Sequence, residues 1–186
     1  MADTPDGTRR QLLRHSGRAA VLGALAMLGA SARALTAGVR SVSLVHTHTG
    51  ERIDRIYAVD ERYVPEAMTE LNRFLRDHYT GVVGTIDPRL FDQLHQVQRV
   101  LGVQQRAFEV ISGYRSPATN TQLRATRGGG VARNSLHVEG RAIDMRLPGA
   151  ALSDLRDAAL SLRSGGVGFY PREQFVHLDT GRVRSW

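Results

Sequence analysis

Alternating apolar and polar residues within residues 135–147 constrain the fold of this chain more than any other feature of its sequence. Side chains of a strand point to opposite faces in turn, so the alternation from residue 142 onward predicts a strand with one buried face. Ile143, Met145 and Leu147 would face the core. Asp144 would then lie on the opposite face, as a carboxylate held on a rigid strand.

Two histidines supply further donor atoms for a metal ion next to this carboxylate. His137 precedes Asp144 by seven residues, and Gly140 between them favours a turn that delivers the imidazole. Residues 175–179 form a second alternating pattern, in which His177 offers a third donor. Nitrogen and oxygen donors of this kind suit Zn²⁺, and three of them leave one tetrahedral position for water, as in a catalytic zinc site. The sequence therefore predicts a zinc hydrolase.

Length, cysteine content and charge limit the alternatives. The 186 residues suffice for one domain, and the absence of cysteine excludes disulfides, thiolate zinc sites and a cysteine nucleophile. The net charge is +7, but five of the 25 basic and two of the 18 acidic residues precede residue 35, which leaves +4 on the rest. That excess contains no basic run and no aromatic-basic interleaving, so we expect no nucleic-acid partner.

The first 34 residues have the pattern of an export signal. Arg9 and Arg10 form a twin-arginine pair, residues 19–30 are an apolar run, and residues 32–34 offer a small-x-small cleavage site. The run of 12 residues is shorter than the roughly 20 needed to span a bilayer as a helix. We expect residues 1–34 to be a twin-arginine signal that delivers the protein to a bacterial periplasm, with no stable membrane span after cleavage. An anchoring amphipathic helix is the alternative.

A turn that follows a short buried strand offers candidate substrate-binding residues. Residues 112–117 contain a glycine and a proline directly after the strand, a position where functional side chains are commonly presented. Arg115 could hold a substrate carboxylate or stabilise the oxyanion of a tetrahedral intermediate, and a surface arginine in a turn is the alternative. Ser112 and Tyr114 are further candidates for substrate binding.

Helical periodicity predicts two helices in the middle of the chain, one beginning at Pro65 and one at Pro88. Two other histidines, His46 and His48, flank the turn between the first two predicted strands. We expect them to be exposed turn residues. Their spacing is also one that metal sites sometimes use.

Four segments together carry a family resemblance. They are Ser112-Gly113-Tyr114-Arg115-Ser116, Ser135-x-His137-x-x-Gly140-x-Ala142-x-Asp144, Gly166-Val167-Gly168-Phe169-Tyr170-Pro171, and Phe175-Val176-His177-Leu178-Asp179-Thr180-Gly181 with Trp186. This set resembles the zinc peptidases of the lysostaphin, D-Ala-D-Ala peptidase and hedgehog-like superfamily, in particular the murein endopeptidase K (YcbK-like) branch. The likeness extends from about residue 44 to residue 186.

The resemblance implies an α+β fold in which a small antiparallel sheet, flanked by helices, carries the metal. It implies a zinc peptidase domain over residues 35–186 that cleaves peptide crosslinks of peptidoglycan, with an endopeptidase favoured over a carboxypeptidase. Peptidoglycan stem peptides would be the partner and Zn²⁺ the cofactor. His137, Asp144 and His177 would be the zinc ligands, and Arg115 would contact the substrate or the transition state.

The general base does not carry over from the resemblance. Several relatives place an acidic residue three positions before the last zinc histidine, where this chain has Gln174. Strand parity places Glu173 and Asp179 on the metal face with His177. We take Asp179 first, as general base or as the partner that orients a ligand histidine, and Glu173 second. The departure at Gln174 keeps a rival hypothesis open, a zinc-bearing peptidoglycan-binding module without catalysis.

Overall fold

The computed structural model describes residues 38–104, 106–126 and 131–186, and within these ranges eight strands form one sheet in the order β3-β2-β1-β4-β5-β7-β6-β8. The strands are β1 (Val39–His46), β2 (Arg52–Val59), β3 (Arg62–Tyr63), β4 (Phe108–Ser112), β5 (Ala142–Arg146), β6 (Gly166–Tyr170), β7 (Phe175–Asp179) and β8 (Arg184–Ser185). The helices are α1 (Pro65–Phe74), α2 (Arg89–Leu101), α3 (Pro117–Thr126) and α4 (Leu152–Ser161). The predicted signal over residues 1–34 lies outside the described residues. Among the helices of the described ranges, none is long and apolar enough to cross a membrane.

The predicted α+β class is confirmed, and the sheet is larger than expected and mixed. Strands β4, β5, β7 and β6 lie side by side in this order, and each pairs antiparallel with its neighbour, as predicted for the part of the sheet that carries the candidate site. Strand β1 pairs parallel with β4, and β6 pairs parallel with β8. The first parallel pair is possible because α1 and α2 intervene between β1 and β4, a connection long enough to return the chain in the same direction.

The core lies on the face of the sheet to which the odd-numbered residues of β5 point. Ile143 and Met145 are 1 % and 0 % exposed and belong to one apolar cluster with residues of β1, β7 and three helices. Helix α2 contributes the apolar stripe Leu90, Phe91, Leu94 and Val97. Burial of this face leaves the even-numbered residues of β5, including Asp144, to form the opposite face.

The helix boundaries follow local signals in the sequence. Helix α1 begins at Pro65, where the missing N–H costs no hydrogen bond. Helix α2 begins one residue after Pro88, and the Asp87 carboxylate accepts a hydrogen bond from the Arg89 N–H at 3.0 Å. It ends at Gly102, whose φ of +67° is the left-handed conformation that glycine adopts without strain.

Candidate metal centre

The turn before β5 fixes the position and the orientation of His137. Gly140 has a φ of +67°, and a Cβ there would lie 1.9 Å from the Thr85 carbonyl oxygen, so only glycine fits. The His137 ring is buried, and its Nδ1 lies 2.8 Å from the carbonyl oxygen of Gly113. A carbonyl can only accept, so Nδ1 carries a proton, and Nε2 is the ring nitrogen left to face the candidate metal position. Nε2 points to Asp144 Oδ1 at 3.3 Å.

Strand register brings the other two side chains together. Asp144 on β5 is the direct partner of His177 on β7, so both side chains lie on the same face of the sheet. His177 Nδ1 lies 2.8 Å from Asp144 Oδ1, and the two imidazole rings of His137 and His177 are 5.1 Å apart between centroids. All three residues are buried, with exposed fractions of 9 % or less.

Among the described residues, His137, Asp144 and His177 are the group whose donor atoms could hold a metal ion, because they lie within 4.8 Å of one another. Two ligands of a tetrahedral zinc ion lie roughly 3.3 Å apart when each bond is about 2.0–2.1 Å long. The contacts of Asp144 Oδ1 with the two imidazole nitrogens, 3.3 and 2.8 Å, are close to this value. The donor set and its spacing therefore fit a zinc ion.

Opposite charges determine the protonation of this cluster. Burial alone would raise the pKa of Asp144, but the imidazoles of His137 and His177 hold it well below its ordinary value. Burial alone would lower the pKa of His177, yet hydrogen bonds to Asp144 and Asp179 raise it to about 9. Without a metal ion, the Asp144 carboxylate is therefore negatively charged at neutral pH and the His177 imidazole is positively charged.

Asp179 lies behind His177, at the edge of the ring opposite Asp144. Its carboxylate is 0 % exposed, and Oδ2 lies 3.1 Å from His177 Nε2. Oδ1 accepts hydrogen bonds from the backbone N–H groups of Gly166 at 3.0 Å and Gly181 at 2.8 Å. Burial raises the pKa of Asp179, but hydrogen bonds from His177 and Arg184 and from the backbone lower it by more. A carboxylate enclosed in this way has no oxygen exposed to a substrate.

The parity argument for Glu173 is wrong, although the residue does line the cleft. Strand β7 begins only at Phe175, and Gln174 has a φ of +60°, so the strand alternation does not extend back to residue 173. Glu173 instead lies on the turn before β7, is exposed, and lines the same cavity as the three candidate metal ligands. Its carboxylate is the exposed acidic group of this cavity within the described residues.

The turn after β4 places Arg115 beside the cluster. Its Nη2 lies 3.9 Å from Asp144 Oδ2 and 3.4 Å from the Ser112 hydroxyl, and its Nη1 lies 3.4 Å from Asn120 Oδ1. Ser112 therefore contacts Arg115 and helps to orient it. Tyr114 lines a smaller adjoining cavity, and its ring packs against Gly84, where a Cβ would approach it to 2.2 Å.

The cleft of about 730 Å³ around the metal cluster has an aromatic wall that the sequence reasoning did not assign to the site. Tyr170 and Phe175 stack with ring centroids 4.5 Å apart, and Trp186 donates a hydrogen bond from Nε1 to the Tyr170 hydroxyl at 2.8 Å. The Trp186 ring lies 5.3 Å from the His177 ring. Arg184, which also lines the cleft, was missed because the two-residue strand β8 has no periodicity to reveal it.

The expectation for His46 is wrong, and the one for His48 holds. His48 is exposed, but His46 is the last residue of β1 and only 1 % exposed. Its ring lies 5.3 Å from His78 and 6.0 Å from Phe74, because the end of α1 and the segment after it cover the end of the strand. Sequence spacing alone did not reveal this long-range contact.

A sequence model of the family described as "Peptidoglycan L,D-endopeptidase MepK" matches residues 34–186. The chain belongs to this family. The "Peptidoglycan L,D-endopeptidase MepK" of Escherichia coli (strain K12) is 45 % identical over 184 residues, which cover 99 % of this chain and 100 % of the relative. A Haemophilus influenzae protein named "Probable peptidoglycan L,D-endopeptidase MepK" is 40 % identical over 147 residues, 79 % of this chain and 78 % of the relative.

The predicted murein endopeptidase K branch is therefore confirmed. No solved structure matches the chain significantly. The family match covers every residue of the candidate metal centre, of the turn that carries Arg115 and of the aromatic wall.

Proposed function

We propose that this protein is a zinc-dependent peptidase that hydrolyses peptide crosslinks of peptidoglycan, as an endopeptidase. The observation that carries the proposal is the convergence of His137, Asp144 and His177 at the floor of an open cleft. Membership of a family described as L,D-endopeptidases supports the reaction class and points to L,D crosslinks as the bonds cleaved.

His137 Nε2, an Asp144 oxygen and His177 Nδ1 would hold the metal. The same donor set also suits Fe(II) in oxygenases. Zinc is favoured here because a hydrolytic reaction needs a Lewis acid without redox chemistry. Bound zinc would lower the pKa of a coordinated water toward neutrality and polarise the scissile carbonyl.

The remaining roles belong to residues of this chain. We assign to Glu173 the role of general base, which would accept the proton of the attacking water and return it to the leaving amine; its exposed position in the cleft supports this role. Arg115 would stabilise the oxyanion or hold a substrate carboxylate; its proximity to Asp144 Oδ2, at 3.9 Å, supports this role. Asp179 is enclosed by protein donors and is assigned to the orientation of His177.

Action on peptidoglycan implies a location outside the cytoplasmic membrane. We propose that residues 1–34 are a twin-arginine signal and that residues 35–186 form the mature peptidase in the periplasm. N-terminal sequencing of the exported protein would place the cleavage site. Substitution of both Arg9 and Arg10 by Lys is expected to retain the precursor in the cytoplasm, and unimpaired export of that variant would contradict the twin-arginine route.

The test of the enzymatic proposal is digestion of purified sacculi that contain L,D crosslinks by the zinc-loaded protein, followed by mass analysis of the muropeptides. We expect crosslinked muropeptides to decrease and their monomers to increase, with one zinc per protein by elemental analysis. Asp144→Ala should abolish both zinc binding and digestion. Asp154→Ala, which removes an exposed acid at the start of α4, is the matched control and should change neither.

Two further outcomes separate the roles within the site. Glu173→Gln should retain zinc and lower the rate by about 10²- to 10⁴-fold, the usual contribution of a general base. Retention of zinc and of sacculus binding by the wild-type protein, without release of any muropeptide, would refute the peptidase and favour the binding module that Gln174 left open.

A further inference from the structure

Asp179 has an orientation fixed by groups other than the metal cluster. The N–H groups of Gly166 and Gly181 both donate to Oδ1, so the carboxylate cannot rotate without breaking two hydrogen bonds. This orientation directs Oδ2 to His177 Nε2 at 3.1 Å. The acceptor at Nε2 holds a proton on that nitrogen, so Nδ1, the atom that faces Asp144, is the nitrogen whose lone pair a metal ion would take.

Arg184 is the cation that accompanies this buried carboxylate. Its Nη1 donates to Oδ1 at 3.1 Å and its Nη2 donates to Oδ2 at 2.7 Å, the forked geometry that arginine alone provides. Nη1 also donates to the carbonyl oxygen of Arg182 at 3.1 Å. The Arg184 guanidinium lies 4.7 Å from the centroid of the Trp186 ring. Residues before and after Arg184, namely Arg182 and Trp186, therefore both contact the guanidinium.

The fold leaves space for this contact at one position of β6. Gly166 is the register partner of Arg184 across the parallel β6–β8 pair. A Cβ at Gly166 would lie 2.3 Å from Arg184 Nη1 and 2.4 Å from Asp179 Oδ2. The glycine therefore leaves room for the guanidinium and the carboxylate side by side.

We propose that Arg184 is a positioning residue for the metal centre, which acts through Asp179 to hold His177 with Nδ1 directed at the metal. The inference rests on the proposed function, because it assigns His177 as a zinc ligand. The hydrogen bonds of Arg184 go to Asp179 and to the Arg182 carbonyl oxygen, so its effect on the proposed metal ligands passes through the Asp179 carboxylate. Partners that orient a ligand histidine in this way typically change metal affinity by about 10- to 100-fold.

The test measures zinc affinity by competition with a chromogenic chelator, below the unfolding temperature of each metal-free variant. Arg184→Gln should weaken zinc binding by about 10-fold, the lower end of the range for direct partners of a ligand, because its effect passes through Asp179. Arg184→Lys keeps the charge without the fork and should give an intermediate loss. Arg182→Gln, a neighbouring exposed arginine, is the matched control and should bind zinc as the wild type does. Replacement of zinc by Co²⁺ should show an altered visible absorption band in Arg184→Gln and an unaltered one in Arg182→Gln.

A second comparison tests the route through the carboxylate. Asp179→Asn would present an amide N–H₂ to His177 Nε2, because the amide oxygen is required at the two backbone donors. This variant should itself bind zinc weakly, and addition of Arg184→Gln to it should cause little further loss. Full additivity of the two losses would overturn the route through Asp179.

The outcomes distinguish this inference from the proposed function. If the wild type binds zinc tightly and Arg184→Gln binds it equally, Arg184 has only a structural role and the inference fails alone. If the wild type binds no zinc, the proposed function fails and the inference fails with it. Should Arg184→Gln not fold, wild-type affinity in the folded Arg184→Lys variant would overturn the inference in the same way.

Discussion

Removal of the buried imidazole of His46 provides a quantitative test of the packing at the end of β1. His46 Nδ1 accepts a hydrogen bond from the His48 N–H at 3.2 Å, so the proton of the neutral ring is on Nε2. Within the described residues that Nε2 is buried without a hydrogen-bond partner. Burial, followed by repulsion from His78 and His48, lowers the pKa of His46 from 6.5 to about 4.

The lowered pKa of His46 makes the free energy of unfolding depend on pH. Between pH 6.5 and pH 4 the unfolded chain takes up a proton at residue 46 that the folded protein excludes. The free energy of unfolding should therefore decrease as the pH falls through this window, and the contribution is fully present only above pH 6.5. A pKa difference of this size corresponds to a loss of about 3 kcal/mol between pH 7 and pH 4.

The assay is urea unfolding of the metal-free protein at several values between pH 7 and pH 4, compared with the variant His46→Asn. Asn keeps an oxygen that can accept the His48 N–H and does not titrate. The wild-type free energy of unfolding should fall more steeply than that of His46→Asn, by about 3 kcal/mol over the range. His48→Asn removes an exposed imidazole of the same cluster and should retain most of the wild-type slope, because burial, the largest cause of the lowered pKa of His46, is unchanged. Parallel curves for wild type and His46→Asn would refute the reasoning.

Three further substitutions test the scaffold by urea unfolding. Gly140→Ala combines a φ of +67° with a Cβ 1.9 Å from the Thr85 carbonyl oxygen, and should lower the free energy of unfolding by about 2–5 kcal/mol; a smaller change would mean that the turn can shift. Phe91→Ala removes a ring that is 0 % exposed and should cost about 3–5 kcal/mol, whereas a near-neutral result would place α2 away from the core. Asp77→Ala removes the carboxylate that accepts the Ser116 N–H at 2.8 Å, and should cost about 2–4 kcal/mol and slow hydrolysis through the Arg115 turn. Unchanged hydrolysis would show that this turn is held by other contacts.

The metal cluster could be located from sequence because its geometry is set by local alternation. Two five-residue strands with apolar odd or even positions fix which side chains share a face, and pairing of those strands then places Asp144 opposite His177. Gly140 adds the one turn that returns His137 to the same place. The long-range contacts of His137 with Gly113, and of Gly140 with Thr85, then fix the orientation that the alternation alone does not specify.

Features that depend on distant contacts were not accessible in the same way. The parity rule failed at Glu173 because Gln174 has a positive φ and β7 begins only after it, at Phe175. Sequence alone does not specify where a strand begins. The expectation that His46 is exposed failed because the residues that cover it come from the end of α1 and the segment after it, which are distant in sequence. The partner of Asp179 was missed for a related reason: Arg184 lies only five residues away, but its contact depends on parallel pairing of β8 with β6.

These contacts balance the charges that the fold buries around His177. Two carboxylates are buried within hydrogen-bond distance of one ring, an arrangement that would be unfavourable if the negative charges stood alone. His177, with a pKa raised to about 9, supplies a positive charge between them, and Arg184 supplies another beside Asp179. Because each charge has a partner, the His177 ring is held between the two carboxylates with Nδ1 toward Asp144 and Nε2 toward Asp179. His177 Nδ1 and Asp144 would therefore be held close together without reorganisation of the protein, as a preformed metal site requires.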